Sequence, residues 1–149
     1  MAILITGSSG WLGRHIAPLL EARGETIIGL DPAPGEWTTH IGSVSDRSAV
    51  RTLFEDHDVT GVIHAGALHK PDIVRYAQHA FIDTNVTGTL NLLEEASERS
   101  LPFVFTSTTS VMASQAIRDE VSDVAVWMDE DYGPIEPRNI YGVSKLAAE

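Results

Sequence analysis

The sequence contains no cysteine among its 149 residues. This absence excludes a disulfide scaffold, a thiolate metal site and a cysteine nucleophile. There is also no apolar run close to the ~18 residues that a membrane span needs, and the first residues lack the charged and long apolar regions of a signal peptide. We therefore expect a soluble cytoplasmic protein with no membrane partner.

Positive charge is scarce as well, with 10 Lys and Arg against 21 Asp and Glu and a net charge of −11. A field of this sign repels phosphate backbones and argues against a nucleic-acid partner. Seven acidic residues lie between positions 119 and 137, where no basic residue occurs: Asp119, Glu120, Asp123, Asp129, Glu130, Asp131 and Glu136. Their spacing specifies no converging oxygens, so we interpret the segment as a solvated loop and predict no metal site.

The chain length fits one domain in which strands alternate with helices. Apolar runs predict strands over residues 2–6, 26–30, 39–41, 61–64 and 102–105. Helical spacing predicts helices over residues 11–23, 47–58 and 77–99. This alternation implies right-handed crossovers and a parallel sheet with helices on both faces.

Each predicted helix has an apolar face. The first face comprises Leu12, Ile16, Leu19 and Leu20, and the second comprises Val50, Leu53 and Phe54 after a cap at Asp46. The long third helix is expected to bury Phe81, Val86, Leu90, Leu93 and Ala96. These faces should cover the sheet.

A glycine-rich segment, residues 7–13, follows the first strand and opens the first helix with the spacing G-x-x-G-x-x-G. Gly7 permits the turn, Gly10 lets the backbone approach a phosphate, and Gly13 lets the helix sit close to the sheet. Free N–H groups at the helix start then bind a pyrophosphate. The cofactor-binding residues predicted here are Gly7, Ser9, Gly10, Trp11, Leu12 and Gly13. The alternative is a glycine-rich turn without a ligand.

Asp31 ends the second strand, eighteen residues after Gly13. A carboxylate at this place accepts hydrogen bonds from both ribose hydroxyls and repels a 2′-phosphate. No Lys or Arg lies between Arg23 and Arg47 to offset that repulsion. The sequence therefore favours NAD over NADP, although an aspartate before Pro32 is also typical of a turn.

Tyr141 and Lys145 are four residues apart on a predicted helix, so both side chains lie on one face. A free phenol titrates near pH ~10, and a neighbouring ammonium favours the phenolate. The pair predicts a general acid/base. Taken alone, the same spacing is common in surface pairs.

Together these ordered motifs resemble the extended short-chain dehydrogenases/reductases, in the NAD-dependent epimerase/dehydratase family. The resemblance covers nearly the whole chain and includes residues 62–67, 85–89 and 103–108 as well as the motifs above. It implies a Rossmann-like, doubly wound parallel sheet in the order 3-2-1-4-5. NAD would lie across the carboxyl ends of the strands.

The resemblance also implies site residues. Ala65, Gly66 and Ala67 match small residues that line the cofactor cleft. Ser43 and Val44 match a pair that meets the adenine, where the family more often has aspartate in place of Ser43. Thr108 matches the hydroxyl that binds the reacting substrate oxygen. Tyr141 matches the proton-transfer residue, and Lys145 matches the lysine that binds the nicotinamide ribose.

Four further expectations follow from the resemblance. The substrate would be a small molecule such as a nucleotide sugar, oxidised or epimerised at a hydroxyl-bearing carbon, and the complete protein would be a homodimer. The 4,6-dehydratases carry Thr-Asp-Glu where this chain has Thr108, Thr109 and Ser110, which argues against dehydration. Asn85 matches a residue that orders the fold.

The sequence stops one turn after Lys145. We therefore expect residues 1–149 to be an incomplete NAD-binding domain without the C-terminal substrate region of the family. The rival hypothesis is a catalytically inactive NAD-binding fragment or sensor module, which the presence of Tyr141 and Lys145 disfavours.

Three other residues invite a functional interpretation. His64 and His69 are five apart without a third ligand, so we predict that His64 is a half-buried strand-end residue rather than a zinc ligand. Trp11 could stack on a ligand, but we expect it to pack beside the phosphate turn.

Overall fold

Five strands form one parallel sheet in a computed structural model that describes residues 1–112 and 135–149. The strands are β1 (Ala2–Thr6), β2 (Thr26–Asp31), β3 (His40–Ile41), β4 (Val59–His64) and β5 (Phe103–Phe105). The α-helices are α1 (Trp11–Glu21), α2 (Arg47–Asp56), α3 (Gln78–Phe81), α4 (Gly88–Glu98) and α5 (Ile140–Ala148). A π-helical segment, Ile82–Thr87, joins α3 to α4, and short 3₁₀ turns occupy Lys70–Val74 and Thr109–Val111.

The strand order β3-β2-β1-β4-β5 confirms the predicted Rossmann-like topology. Strand β1 is central, and its Leu4 pairs with Ile28 of β2 and Val62 of β4. The chain moves outward from β1 to one side through β2 and β3, and to the other side through β4 and β5. In such sheets, ligands bind beyond the carboxyl ends of the strands at the point where the strand order reverses. Here that point lies between β1 and β4.

Helix α2 has the face that its spacing predicts, with Val50, Leu53 and Phe54 all buried. Its first turn is capped by Asp46, whose Oδ1 accepts a hydrogen bond from the Ala49 amide at 3.1 Å. The cap and the apolar stripe together fix where the helix begins and how it packs on the sheet.

The face of the helix expected over residues 77–99 was predicted incorrectly in part. Phe81 and Ala96 are buried, but Leu90 and Leu93 are 53% and 39% exposed, and Leu92 is buried instead. The π-helical segment is the reason, because each π turn holds more residues than an α turn and so rotates every later side chain about the axis. A constant 3.6-residue period could not predict this change of face.

The face of α1 also differs from the prediction. Leu19 is 64% exposed, whereas the small residues Gly13 and Ala17 are buried. Small side chains bring this helix close to the sheet directly behind the glycine-rich turn. Helix position here is decided by close backbone approach rather than by leucine burial.

No helix in the described ranges is long and apolar enough to cross a bilayer. Of the acidic segment, only Glu136 lies within the described residues, and it is exposed. The prediction of a solvated loop at the other six acidic positions falls outside them.

Candidate active site

The glycine-rich segment forms a tight turn between β1 and α1. Gly7 has φ of +72°, and a Cβ there would lie 2.7 Å from the Gly66 nitrogen. The Gly10 amide donates to the Gly7 carbonyl at 3.0 Å, and Gly10 precedes α1 without a side-chain cap. The first N–H groups of α1 are thus left open to an anionic ligand.

Gly13 holds the other side of the turn. A Cβ on Gly13 would lie 2.7 Å from the Ser8 Cα. No other residue fits there without moving the turn. This close contact explains the third glycine of the motif by packing rather than by ligand contact.

Asp31 lies at the end of β2 and is 8% exposed. Its Oδ2 accepts from the Ser9 amide at 3.2 Å, and its Oδ1 accepts from the Ala33 amide at 2.8 Å. A carboxylate has about four acceptor positions, so lone pairs remain for ribose hydroxyls. Ser9 therefore links the glycine turn to Asp31.

A cleft of about 530 Å³ opens at the carboxyl ends of the strands, within the ~300–1,000 Å³ usual for ligand sites. Ten of the predicted cofactor residues line it: Gly7, Gly10, Trp11, Leu12, Asp31, Ser43, Val44, Ala65, Gly66 and Ala67. Ser9, Gly13, Tyr141, Lys145 and Thr108 do not belong to the lining. Ser9 and Gly13 belong to the turn itself, and Tyr141 lies next to the lining residue His69.

Ser43 lies where the resemblance led us to expect aspartate. Its hydroxyl accepts from the Ser45 amide at 3.2 Å and lies 2.8 Å from the Ser45 hydroxyl. The side chain is thus committed to a local turn. Val44 beside it is 6% exposed, and its carbonyl accepts from the Asn91 side chain at 2.9 Å, which anchors this wall of the cleft to α4.

Helix α5 carries Tyr141 and Lys145, which are 7% and 3% exposed. Asn139 caps its N-terminus, and the Asn139 Oδ1 accepts from the Gly142 amide at 3.0 Å. The Tyr141 ring lies 5.7 Å from the His69 ring, centroid to centroid. Since His69 lines the cleft, the phenol lies immediately behind the cleft wall.

The Lys145 ammonium lies 3.9 Å from the centroid of the Phe105 ring at the end of β5. Burial lowers the pKa of Lys145 to about 8, and Glu149 opposes this shift. Among residues 1–112 and 135–149, the ammonium has a ring face rather than a carboxylate as its close partner.

Thr108 precedes the 3₁₀ turn Thr109–Val111, and its Oγ1 accepts from the Ser110 amide at 3.2 Å. Helix α5 packs on this turn, since a Cβ on Gly142 would lie 3.0 Å from the Ser110 carbonyl. Residues Thr108 and Tyr141, which are 33 positions apart in the sequence, are thereby carried by contacting segments.

Several cleft residues were not anticipated from the sequence: Leu30, Pro32, Gly42, Leu68, His69, Tyr76, Ala80, Thr84 and Thr106. Tyr76, Ala80 and Thr84 recur every fourth residue, which is a helical signal that could have indicated a shared face. His69 carried no such signal. It reaches the cleft because β4 ends beside β1.

Two aromatic side chains differ from expectation. Trp11 is 71% exposed at the lip of the cleft, and its ring centroid lies 4.8 Å from that of His15. We had expected Trp11 to pack beside the phosphate turn, and it does not. His64 is 1% exposed rather than half-buried. Within residues 1–112 and 135–149, no three His, Asp or Glu side chains converge as a metal site.

The family model for the NAD-dependent epimerase/dehydratase family matches residues 3–149. The chain belongs to this family. The family description confirms the predicted NAD dependence and the resemblance drawn from the motifs.

The family match is supported by individual relatives. The chain is 30% identical to UDP-glucose 4-epimerase of Erwinia amylovora, covering 100% of this chain and 47% of the relative. It is 32% identical to GDP-6-deoxy-D-mannose reductase of Pseudomonas aeruginosa, covering 99% and 44%. The solved UDP-glucose 4-epimerase of Thermus thermophilus, in complex with NAD, superposes with a TM-score of 0.82 at 27% identity, covering 99% and 48%. The chain thus spans about half the length of the relatives it matches.

Proposed function

We propose that this chain forms the NAD-binding and proton-transfer part of an enzyme that oxidises and re-reduces a hydroxyl-bearing carbon of a nucleotide sugar. One observation carries the proposal. A single cleft has the glycine turn and Asp31 in its lining, together with His69, which contacts the ring of Tyr141. A dinucleotide site thus adjoins a buried tyrosine–lysine pair.

The residues around the turn fit a dinucleotide. Gly7 and Gly10 leave no side chain between the turn and a pyrophosphate, and α1 presents uncapped N–H groups. Asp31 would bind the adenosine ribose and exclude a 2′-phosphate. Ala65, Gly66 and Ala67 would allow the cofactor to lie against the end of β4. When bound, NAD supplies the acceptor and donor of a hydride.

The protein's own contribution to the reaction is proton transfer. In our proposal, Tyr141 takes the proton from the substrate hydroxyl, and Thr108 holds the oxygen that loses it. Lys145 stabilises the phenolate and binds the nicotinamide ribose. The low exposure of Tyr141 and Lys145 keeps bulk water from competing for that proton.

The substrate class comes from relatives rather than from a contact in this chain. The Erwinia and Pseudomonas relatives are named for sugars carried on UDP and GDP. One is an epimerase and the other a reductase, so both outcomes of the same oxidised carbon belong to the proposal.

We also propose that the complete protein is a homodimer that uses α4. Ile82, Leu90 and Leu93 are 39%, 53% and 39% exposed along the segment 82–93. Such a row of apolar side chains is typical of a surface that pairs with another helix. Sedimentation velocity over a range of protein concentration tests this, and Leu90→Glu should yield the monomer.

Titration of the 149-residue chain with NADH, followed by nicotinamide fluorescence, tests the cofactor part of the proposal. Saturable binding that NAD displaces is expected, with weaker binding of NADPH. A chain that binds neither nucleotide would refute the cofactor site.

Substitution tests the chemistry. We expect Tyr141→Phe to reduce turnover of a nucleotide sugar by about 10²–10⁴-fold and to leave NADH affinity within about twofold, because one proton-transfer group is lost. Thr108→Val should also reduce turnover, while the same change at the exposed neighbour Thr109 should not. Full activity of the Tyr141→Phe variant would exclude the mechanism.

A further inference from the structure

A continuous chain of buried polar side chains runs from the phosphate turn to the helix that carries Tyr141. Its members come from β1, β4, the π-helical segment, α4 and α5, and each is at most 2% exposed: Thr6, His64, Asn85, Thr89 and Ser144. Buried polar groups are retained only where their hydrogen bonds are satisfied. The donors and acceptors along these side chains define the direction of each hydrogen bond.

The positions of the protons follow from the acceptors. The Thr89 hydroxyl lies 2.6 Å from the Asn85 carbonyl and must donate to it. Because a hydroxyl has one proton, Thr89 accepts from His64 Nε2 at 3.0 Å. His64 Nδ1 then accepts from the Thr6 hydroxyl at 2.5 Å, and Thr6 Oγ1 accepts from the Gly66 amide at 3.1 Å. His64 is thereby fixed as the neutral Nε2–H tautomer.

Asn85 continues the chain towards α5. Its Oδ1 accepts from the Leu68 amide at 2.8 Å, and its Nδ2 donates to the Leu68 carbonyl at 2.9 Å. Nδ2 also donates to the Ser144 hydroxyl at 2.9 Å, and that hydroxyl donates to the Tyr141 carbonyl at 2.9 Å. The side chain of Asn85 is therefore fully used, and its last bond is made to the helix of the reactive pair.

Asn85 lies inside the π-helical segment Ile82–Thr87. A π turn is rare and occurs frequently at functional sites, where it changes the direction of a side chain. Here the same segment that turns Leu90 and Leu93 outward carries the asparagine that reaches both Leu68 and Ser144. The π-helical segment thus contributes a hydrogen bond to α5.

Ser144 gains nothing for its own helix from this arrangement. A serine in a helix interior is less favourable than alanine, and its bond to a carbonyl three residues back competes with the regular helix pattern. The Ser144 side chain, which lies between Tyr141 and Lys145 in the sequence, is nevertheless completely buried. The one long-range hydrogen bond of its side chain in the described part of the chain is the bond from Asn85.

We propose that Ser144 is a positioning residue: held by Asn85, its hydroxyl fixes the first turn of α5 and so the positions of Tyr141 and Lys145. The inference rests on the proposed role of that pair. It adds that the π-helical segment and the buried chain from Thr6 set the geometry of the reactive helix.

The test compares Ser144→Ala with Ser97→Ala in the 149-residue chain. Ser97 is an exposed serine near the end of α4, so it undergoes the same change without a buried partner. Hydrogen exchange of the backbone amides at 141–145 reports the order of α5 without any need for activity. We expect exchange there to quicken at least tenfold in Ser144→Ala and to stay unchanged in Ser97→Ala.

Kinetics and binding supply the second readout. Ser144→Ala should lower kcat at least tenfold, with KM and NADH affinity within about twofold and an unfolding midpoint close to that of the parent. Ser144→Cys, which retains a weak hydrogen-bonding group, should recover part of the kcat. Unchanged kcat, or a kcat loss matched by a loss of NADH affinity and stability, would overturn the positioning role.

The two readouts separate this inference from the proposed function. If the 149-residue chain does not bind NADH, the proposed function fails, while hydrogen exchange still decides whether Ser144 orders α5. If exchange at 141–145 is the same in Ser144→Ala and the parent, the inference fails even where the enzyme is active.

Discussion

Replacing Lys145 by methionine removes a buried charge while keeping an unbranched side chain of similar length. Lys145 is 3% exposed, and its ammonium lies 3.9 Å from the centroid of Phe105. A methionine sulfur packs favourably against an aromatic ring, so the variant keeps this contact. The substitution therefore isolates the energetic effect of the charge.

The magnitude follows from the pKa. Burial lowers the pKa of Lys145 from 10.5 to about 8, with Glu149 acting in the opposite direction. At about 1.36 kcal/mol for each pH unit, the folded state is destabilised at neutral pH by roughly 3 kcal/mol relative to an uncharged side chain. We expect Lys145→Met to unfold with a free energy about 1–3 kcal/mol larger at pH 7.

The pH dependence has a defined sign. Between pH 8 and 10.5 the unfolded chain still holds the Lys145 proton and the folded chain has released it. Stability that depends on this group therefore rises with pH through that window and is complete above it. Below pH 8 both states are protonated, and the full penalty of burying the ammonium remains.

Urea unfolding of the cofactor-free chain at pH 7, 8, 9 and 10, followed by tryptophan fluorescence, measures both effects. The difference between parent and variant cancels the other groups that titrate in this range. The chain has one other lysine, Lys70, which is exposed, so Lys70→Met is the matched control. A variant that is less stable than the parent at pH 7, together with a parent–variant difference that does not change with pH, would refute the reasoning.

Three further predictions concern the turn, the buried histidine and the aspartate. Gly7→Ala should lower the free energy of unfolding by more than ~2 kcal/mol because its Cβ would meet the Gly66 backbone at 2.7 Å. The control is Gly24→Ala, at φ of +85° with no atom within 4 Å, which should lower the free energy of unfolding by only about 1 kcal/mol. Comparable losses in urea unfolding would contradict the steric argument. Burial lowers the pKa of His64 to about 3, so the folded chain stays neutral while the unfolded chain gains a proton below about 6.5. Stability should therefore fall by up to about 1.4 kcal/mol per pH unit between these values, and His64→Phe should flatten the slope in unfolding experiments from pH 7 to 4. Asp31→Ser should weaken NADH binding about 10–100-fold, because the ribose loses a charged acceptor. The affinity for NADPH should become similar to that for NADH, because the charge that repels the 2′-phosphate is also removed. An unchanged ratio of the two affinities in fluorescence titrations would exclude the proposed ribose contact.

The π-helical segment marks where sequence reasoning fails in this chain. Spacing predicted a helix through Leu90 and Leu93, but the observed face changes within Ile82–Thr87. The extra residue in that turn is stabilised by bonds from Asn85 to Leu68 and Ser144, which lie 17 and 59 positions away. Local periodicity contains no information about such distant partners.

The phosphate site and the contact between His69 and Tyr141 differ in how far the sequence predicts them. Lysines and arginines are scarce, and the candidate phosphate site at the start of α1 offers uncapped backbone N–H groups in place of a cluster of lysines. In contrast, no pattern in the sequence placed His69 beside Tyr141. The segments that carry them are linked by Asn85, which hydrogen-bonds both Leu68, the neighbour of His69, and Ser144 of α5.

The sequence by itself determined the alternation of elements, the strand order through its family motifs, the glycine turn and the position of Asp31. The strand order came from the family resemblance, whereas the other three depend on residues close in the chain, whose conformational preferences act before any long-range contact forms. Only the tertiary structure decided the burial of Lys145, the tautomer of His64 and the attachment of Ser144 to Asn85. Burial and proton placement depend on which distant groups surround a side chain, and these are fixed only when the sheet and the helices have packed together.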